Sequence, residues 1–304
     1  MPTSNYGSGF SHGVTIQGLP ILNVYGGDVF WVDSVGGSDG NNGTFGQPWG
    51  TVDYAIGRCT ASNGDMIMVK PGHAETLAAN VTMDVIGVQI IGLGRGNLRP
   101  TLTVGGGDYT VTMTAANSSI SNFRIVLEDT NDTVTSAFTI TADGCMVEGC
   151  ETVVHATAQF TTHLTATDAQ FVEIRNNTFK SLHTASSTSG IVVDGCDDLI
   201  IDGNVVDGHF TEHALDNTTP GSVDEILRAT ITNNLLMNRS TTGGDMCVEL
   251  DAAATGFFAY NQLVGGLATT AANYDIGNMA TCESYVSDTV GVDVATIIIG
   301  TAAV

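Results

Sequence analysis

The sequence predicts an all-β fold, a parallel β-solenoid in which one chain coils through about eight rungs. Three observations predict it. A short pattern recurs: "FVEIRNNTF" (Phe171 to Phe179), "LIIDGNVV" (Leu199 to Val206), "ATITNNLL" (Ala229 to Leu236) and "GFFAYNQLV" (Gly256 to Val264) each run from alternating apolar residues through a polar bend at Asn and out again. The pattern keeps a period, with anchors at Asn177, Asn204, Asn234 and Asn261, spaced 27, 30 and 27. Similar intervals towards the N-terminus reach Cys150, Phe123 and Leu93. No amphipathic helix lies between copies, which excludes a repeat of alternating strands and helices.

The columns created by the period are chemically consistent. Three residues before each anchor lie Ile120, Val147, Ile174, Ile201, Ile231 and Phe258. Two after it lie Ile125, Thr152, Phe179, Val206, Leu236 and Leu263, with Thr152 the one polar member. Alternation with period two marks these segments as strands. Each copy is too short to bury its own apolar face, so copies must stack. Asn is expected at the bend because its short amide tolerates left-handed backbone. Stacked amides can also donate to one rung and accept from the next. Two before the anchor lie Glu148, Arg175 and Asp202. Outward strands about 4.8 Å apart would hold that arginine between two carboxylates.

Three further parts complete the chain. Residues 1–27 contain no Asp, Glu, Lys or Arg and match nothing in the repeat. Fully extended, they reach up to about 90 Å. An uncharged arm with apolar patches is expected to dock onto a partner, through Val14, Ile16, Leu19, Ile21, Leu22 and Val24. The plainer expectation is a local strand laid across the first rung. Between the arm and the rungs, Thr51 is placed to cap a helix over residues 52–61, with Val52, Ala55, Ile56 and Cys59 on one face. Such a helix can plug the open end of a solenoid, where unpaired strands would otherwise invite aggregation. The β-helix then occupies residues 28–265. The tail, 266–304, breaks the period and ends in a β-prone run at Ile297 to Ile299. It is expected to cap the far end or to pair with another chain.

Composition narrows the partners. Only 13% of residues are charged, yet 32 acids against 9 bases give a net charge of −23. Seven Arg and two Lys cannot easily neutralise phosphates, so nucleic acid is not an expected partner. Neither is a membrane, because the terminal "ATIIIGTAAV" is about half of the ~20 apolar residues a span needs. "MPTSNYGSGFSHG" has neither the basic start nor the apolar core of a secretory leader. The six cysteines form no CxxC pair and read as buried free thiols, with Cys145 and Cys150 close enough for a local bridge.

"FWVDSVGGSDGNNGTFGQPWGTVDYAIGRCTASNGDMIMVKPGHAETL" (Phe30 to Leu77) resembles the opening segment of right-handed parallel β-helix proteins, the pectate-lyase-like superfamily. The matching residues are Trp31 and Val32, the loop Gly37 to Gly43, Pro48, Trp49, Thr51, the helix, Gly64, Asp65, Ile67, Val69, Pro71 and Gly72. The resemblance implies a single-stranded right-handed parallel β-helix with an N-terminal capping helix. The hand also agrees with the general preference for right-handed crossovers. The fold hosts many functions and decides no chemistry by itself.

Many members of that superfamily cleave polysaccharides, so the candidate catalytic residues are Asp194, Asp197, Asp198 and Arg175. The galacturonase-like branch pairs its Asp residues with Gly-His-Gly and a following basic residue, and neither accompanies "GCDDLI" here. The lyase branch uses an arginine base and calcium held by aspartates. Arg175 is in a suitable place, but its column gives it structural partners. Asp197 aligns with Gln170 and Asp143, which reads as a turn column. A glycosidase needs carboxylates roughly 5 to 9.5 Å apart, and stacked acids such as Asp168, Asp194 and Asp251 could meet that by chance. "GHFTEHALD" places His209 near Asp207, Glu212 and Asp216, with His155 and His183 on neighbouring copies. Without HExxH it reads as a solvated turn, and no metal site is assigned. Asp39 and Asn41 fall in a calcium-like rhythm, but the resemblance makes their loop a turn signature, and no cofactor is expected.

Together these features point to a non-enzymatic structural protein of a bacteriophage virion. β-Helices of this type resemble phage spikes and head decorations, commonly homotrimers. The short tail leaves no room for a separate trimerisation domain, which favours a capsid decoration or cement protein bound to the major capsid protein over a tail spike or fibre. The alternative is a polysaccharide lyase, a glycoside hydrolase or a glycan-binding module acting on a host surface polymer.

Overall fold

A computed structural model describes residues 14–16, 19–21, 26–105, 107–128, 133–181, 187–217, 225–240, 247–265, 274–282, 284–288 and 296–298. Almost every element is a strand. The exceptions are the helix Val52–Ile56 and a 3-10 turn at Gly96–Leu98. Apart from one two-stranded sheet, the described strands form three long sheets of ten, ten and eight members, in which each inner strand of a rung lies between its counterparts from the previous and the next rung. One rung runs Glu173–Arg175 in the first sheet, Thr178–Ser181 in the second and Ser189–Asp194 in the third. The fold is thus a parallel β-helix closed by three walls.

The sequence columns are the observed register. Val147 pairs with Ile174, and Ile174 with Ile201. These side chains point inward and are fully buried. Thr152 pairs with Phe179 and Ile125 and is equally buried. Its hydroxyl finds a partner inside the solenoid, His163 Nδ1 at 2.7 Å. That imidazole lies parallel to the Phe179 ring, with centroids 5.9 Å apart, and also meets Phe160 and Phe210. Burial without a charge partner pushes the His163 pKa down to about 3.

The anchor asparagines form a buried amide ladder. Asn177 Oδ1 accepts the Cys150 N–H at 2.8 Å. Asn204 Oδ1 accepts both the N–H and the Nδ2–H of Asn177, and Asn234 and Asn261 repeat this one rung further on. Each Nδ2 also donates to a carbonyl of the preceding rung: Val147, Ile174, Ile201 and Ile231 in turn. The expected stacking is present, but the expected conformation belongs to the residue before. Asn176, Gly203, Asn233 and Tyr260 have positive φ, whereas the anchors do not. The left-handed residue turns the chain, and that turn aims the next side chain inward, where only a neutral donor–acceptor can sit unhydrated.

The helix at the opening end is shorter than expected and is capped differently. It spans Val52–Ile56 and packs against the strands Val29–Val32, Met66–Val69 and Val81–Met83. Val52, Ala55 and Ile56 are buried. Thr51 makes no cap bond to the helix; its hydroxyl donates to Asp39 Oδ2 at 3.2 Å. The Val52 N–H instead donates to Glu75 Oε2 at 3.0 Å. Glu75 pairs with Leu102 and so stands in the inward column. It begins its sheet, with no earlier rung beneath it, so its carboxylate can turn to the helix N-terminus. Asp65, fully buried, accepts from the Asp28 and Thr60 backbone and from Asn63, which fixes the junction between this cap and the first strands.

Parallel pairing continues past residue 265. Tyr274–Ile276, Ala280–Cys282 and Ser284–Asp288 add a strand to each of the three sheets. Leu263 pairs with Val286, an interval of 23 residues instead of 27 or 30. The shortened copy hides this rung from a periodic search. Thr296–Ile298 then pairs antiparallel with Ser284–Asp288 and covers the edge of the second sheet. At the other end, Val14–Ile16 and Leu19–Ile21 pair antiparallel as a separate two-stranded sheet. Among the proposed docking residues, Leu22 and Val24 lie outside the described residues. Cys145 and Cys150 are free thiols, each bonded to a backbone carbonyl, Ala115 and Glu148 respectively. Burial pushes Cys150 up to about 12, far from a reactive thiolate at neutral pH.

Candidate functional site

The four candidate catalytic residues are distributed over a wall, a corner and a strand end. Asp197 and Asp198 lie in the turn from the third sheet back to the first, with Asp198 at φ 54°. This corner is left-handed on successive rungs, at Asn117, Gly144, Phe171, Asp198 and Arg228. Arg228 reaches back one rung and binds both acids. Its Nε and Nη2 approach the two Asp198 oxygens at 2.8 Å each, and Nη2 meets Asp197 Oδ2 at 3.2 Å. The hydrogen bonds and charge of Arg228 hold the Asp198 carboxyl below its usual range.

Asp197 has a second duty. Its Oδ1 accepts the Leu227 N–H of the next rung at 3.2 Å, as Asp143 Oδ1 accepts the Gln170 N–H at 2.9 Å. The turn column read from Asp143, Gln170 and Asp197 is therefore a capping device in which a carboxylate bonds to the backbone of the rung above.

Arg175 stands elsewhere, on the outer face of the first sheet. Register places it between Glu148 and Asp202 as the spacing predicts. Its tightest partner is a different acid, Glu173 on the same strand, with Nε–Oε2 at 2.6 Å; Asp202 is 3.8 Å away. Residues two apart on a strand share a face, so Glu173 competes with the rung-to-rung neighbours although its backbone is farther away, about 6.6 Å against about 4.8 Å; side-chain direction decides the pair. Glu148 turns to Asn176 Nδ2 instead, at 3.4 Å. Asp202 is held below the usual carboxylate range by hydrogen bonds from Thr232 and Asn233 and by the Arg175 charge. Asp194 ends a strand of the third sheet, opposite Thr167, and is almost fully buried. The structure thus brings Asp197 and Asp198 together on Arg228 and does not bring Arg175 to them.

The stretch from Gly208 to Asp216 contains an arrangement that sequence reasoning only partly found. His213 is buried between two carboxylates, with Nε2 at 2.6 Å from Glu249 and Nδ1 at 3.5 Å from Asp216. Ser189 Oγ lies 3.0 Å from Asp216 Oδ2 and 3.4 Å from Glu212 Oε2. Asp207 is instead bound by Arg239, with Nη2–Oδ2 at 2.9 Å. His155 bonds to Thr157, and His183 lies outside the described residues. Glu249 is 36 residues from His213 and is brought close only by the register of Asp216 on Glu249. The spacing of 33 between those two acids departs from the 27 and 30 of the anchors, which is why the pair escaped notice. Among the described residues, no group of three or more His, Cys, Asp or Glu is placed to hold a metal ion. Asp39 spends its oxygens on Gly50 and Thr51, and the Asn41 amide donates to the Pro48 carbonyl.

No family model and no curated protein match the chain. Solved structures align with it at low identity. A rhamnogalacturonan lyase aligns with a TM-score of 0.49 and 13% identity over 90% of this chain and 90% of that one. The pectate lyase Pel9A aligns with a TM-score of 0.33 and 13% identity, over 83% and 79% of the two chains. ORF18 of Geobacillus virus E2 aligns with a TM-score of 0.26 and 10% identity, over 78% and 57%. The class these geometries define is a parallel β-helix protein with an acid-rich outer wall.

Proposed function

We propose that this chain is a non-catalytic structural protein of a bacteriophage virion, a capsid decoration or cement protein that grips the shell through residues 1–27 and displays the β-helix. One observation carries the reading: three of the four candidate residues for polysaccharide cleavage, Arg175, Asp197 and Asp198, are already engaged in ion pairs within the β-helix. Arg175 is bound to Glu173 and Asp202, and Arg228 clamps Asp197 and Asp198. A rigid acidic rod with an uncharged arm suits display and docking better than turnover. The arm residues Val14, Ile16, Leu19 and Ile21 belong to a hairpin that pairs with itself and joins none of the three walls. In this reading the chain assembles as a homotrimer on the major capsid protein, without a cofactor; tail spike or fibre is the neighbouring role.

The test is the copy number of the chain in purified particles, by quantitative mass spectrometry against the most abundant shell protein. Hundreds of copies support decoration, a few in a multiple of three support a tail role, and absence from particles overturns the reading. Asp194, Asp197 and Asp198 fall within five residues, which keeps polysaccharide cleavage as the second reading. It predicts that Asp197→Ala with Asp198→Ala abolishes glycan cleavage without unfolding, and it fails if the wild type cleaves nothing.

A further inference from the structure

We propose that His213 is a proton-operated clamp, which fastens the strand Leu215–Asp216 to its neighbour Val248–Leu250 while charged and releases it on deprotonation. The inference is independent of the virion reading.

The argument starts with the strand. Leu215–Asp216 is only two residues long, and it pairs through two residues with Ile191 and Val192 on one side and with Val248 and Glu249 on the other. The third wall is therefore thin here. Backbone bonds beside the short ladder tie this stretch to the next rung: Ala214 and Leu215 donate to the Cys247 carbonyl at 3.0 and 3.1 Å, and Asn217 donates to Glu249 at 3.0 Å. Outward from the strand the register stacks acids, with Asp216 beside Glu249 and Glu249 beside Asp275. Like charges directly opposite on adjacent strands are destabilising.

His213 sits where it can cancel that repulsion. Both ring nitrogens face carboxylates, Nε2 towards Glu249 and Nδ1 towards Asp216. A neutral imidazole has one N–H and one lone pair. Whichever nitrogen carries its proton, the other would turn a lone pair onto a carboxylate in a nearly dry site. Only the imidazolium offers a proton to both. Two other described groups face the site. From the preceding loop comes Glu212, a third carboxylate, and from the strand Ser189–Asp194 comes Ser189, whose single hydroxyl proton lies between Glu212 and Asp216. Nδ1 is buried and makes no hydrogen bond of normal geometry, Asp216 standing 3.5 Å away. Burial acts against the charge, but the Asp216, Glu249 and Glu212 carboxylates prevail and hold His213 above the ordinary imidazole value. A folded-state value above the unfolded one means that this contribution is complete at low pH and is lost as pH rises through the folded value. Above it, the positive charge that faces Asp216 and Glu249 is gone and the two-residue strand loosens.

The test uses the full chain. His213 is titrated by NMR between about pH 5 and pH 9, assigned by comparison with His213→Gln, and hydrogen exchange of the Ala214, Leu215 and Asn217 amides is followed over the same range. The expected result is a His213 midpoint above the ordinary imidazole value, and protection of these three amides that falls about tenfold through that midpoint once intrinsic exchange is corrected. His213→Gln should keep them weakly protected at every pH, with the amides of Asn177 and Asn204 unchanged. Should that variant not fold, Glu249→Gln serves, and it should move the His213 midpoint down. A midpoint at or below the ordinary value, protection independent of pH, an unmoved midpoint in Glu249→Gln, or a uniform loss across all rungs would each overturn the proposal.

Discussion

At the corner between the first and second sheets, the chain turns left-handed at Asn176, Gly203, Asn233 and Tyr260, and the residue behind the turn is a buried asparagine each time. At the corner between the third sheet and the first, it turns left-handed at Asn117, Gly144, Phe171, Asp198 and Arg228, and the groups that close it are carboxylates and a guanidinium at the surface. The backbone problem is the same, and at both corners the residue behind the turn is buried, Ser118, Cys145, Val172, Leu199 and Ala229 at the second; what differs is whether the side chain that bonds to the next rung lies inside or at the surface. Inside, a carboxylate would lose its hydration without a counter-charge, so the amide is the smallest group that both donates and accepts. Outside, water satisfies whatever is placed there, and the column tolerates Asn, Gly, Phe, Asp and Arg in succession. Order in a column therefore reports burial more than it reports chemistry, and the loose column is the one that first resembled an active site.

The comparison can be broken by exchanging the chemistries. Asn204→Asp places a carboxylate among buried amides and should destabilise the chain by about 4 kcal/mol or prevent folding near neutral pH, whereas Asp197→Asn at the open corner should leave the urea midpoint almost unmoved. Equal losses in the two variants would refute the distinction. Asn204→Ala removes the ladder without adding charge. It strands the buried Asn177 backbone N–H, and a loss of about 3 kcal/mol is expected by urea unfolding. Arg228→Ala should give the smallest effect in that series, a midpoint shift inside experimental error, because its partners are exposed and screened.

A third interior group sharpens the same point through pH. His163 has a folded value of about 3 against an ordinary 6.5. A depressed base contributes fully above 6.5, where it is neutral folded or unfolded, and loses stability as pH falls from 6.5 towards 3 and the unfolded chain takes up the proton. His163→Phe should flatten that acid limb in thermal melts between pH 7 and pH 4.5. An unchanged limb would show that the acid sensitivity has another source.

Much of this was legible in the sequence because a solenoid writes its register as a period. The inward columns and the amide stack were visible as spacing, whereas Asp65 was marked only by the family resemblance and its burial was not read. The lone polar Thr152 stood out as well, but its partner His163 comes from the opposite wall, and no interval links the two. The left-handed residue was displaced by one position because Asn satisfies both the bend and the ladder on composition alone. Arg175 was given the right neighbours but the wrong preference, since reach along a strand is a matter of rotamers. The terminal rung was missed because its copy is shortened to 23 residues. His213 and Glu249 meet across an interval that the anchors do not share.

The asparagine ladder also gives the rod a direction. From Cys150 to Asn261 every side-chain carbonyl accepts from the rung on its N-terminal side, and no step is reversed. The amide dipoles therefore add along the axis, each bond polarising the next. The two ends of the ladder are electrically unlike, and both lie inside the rod, because rungs without an anchor asparagine stack before Cys150 and after Asn261. The polarity is thus an internal property of the rod's middle, shielded from either end.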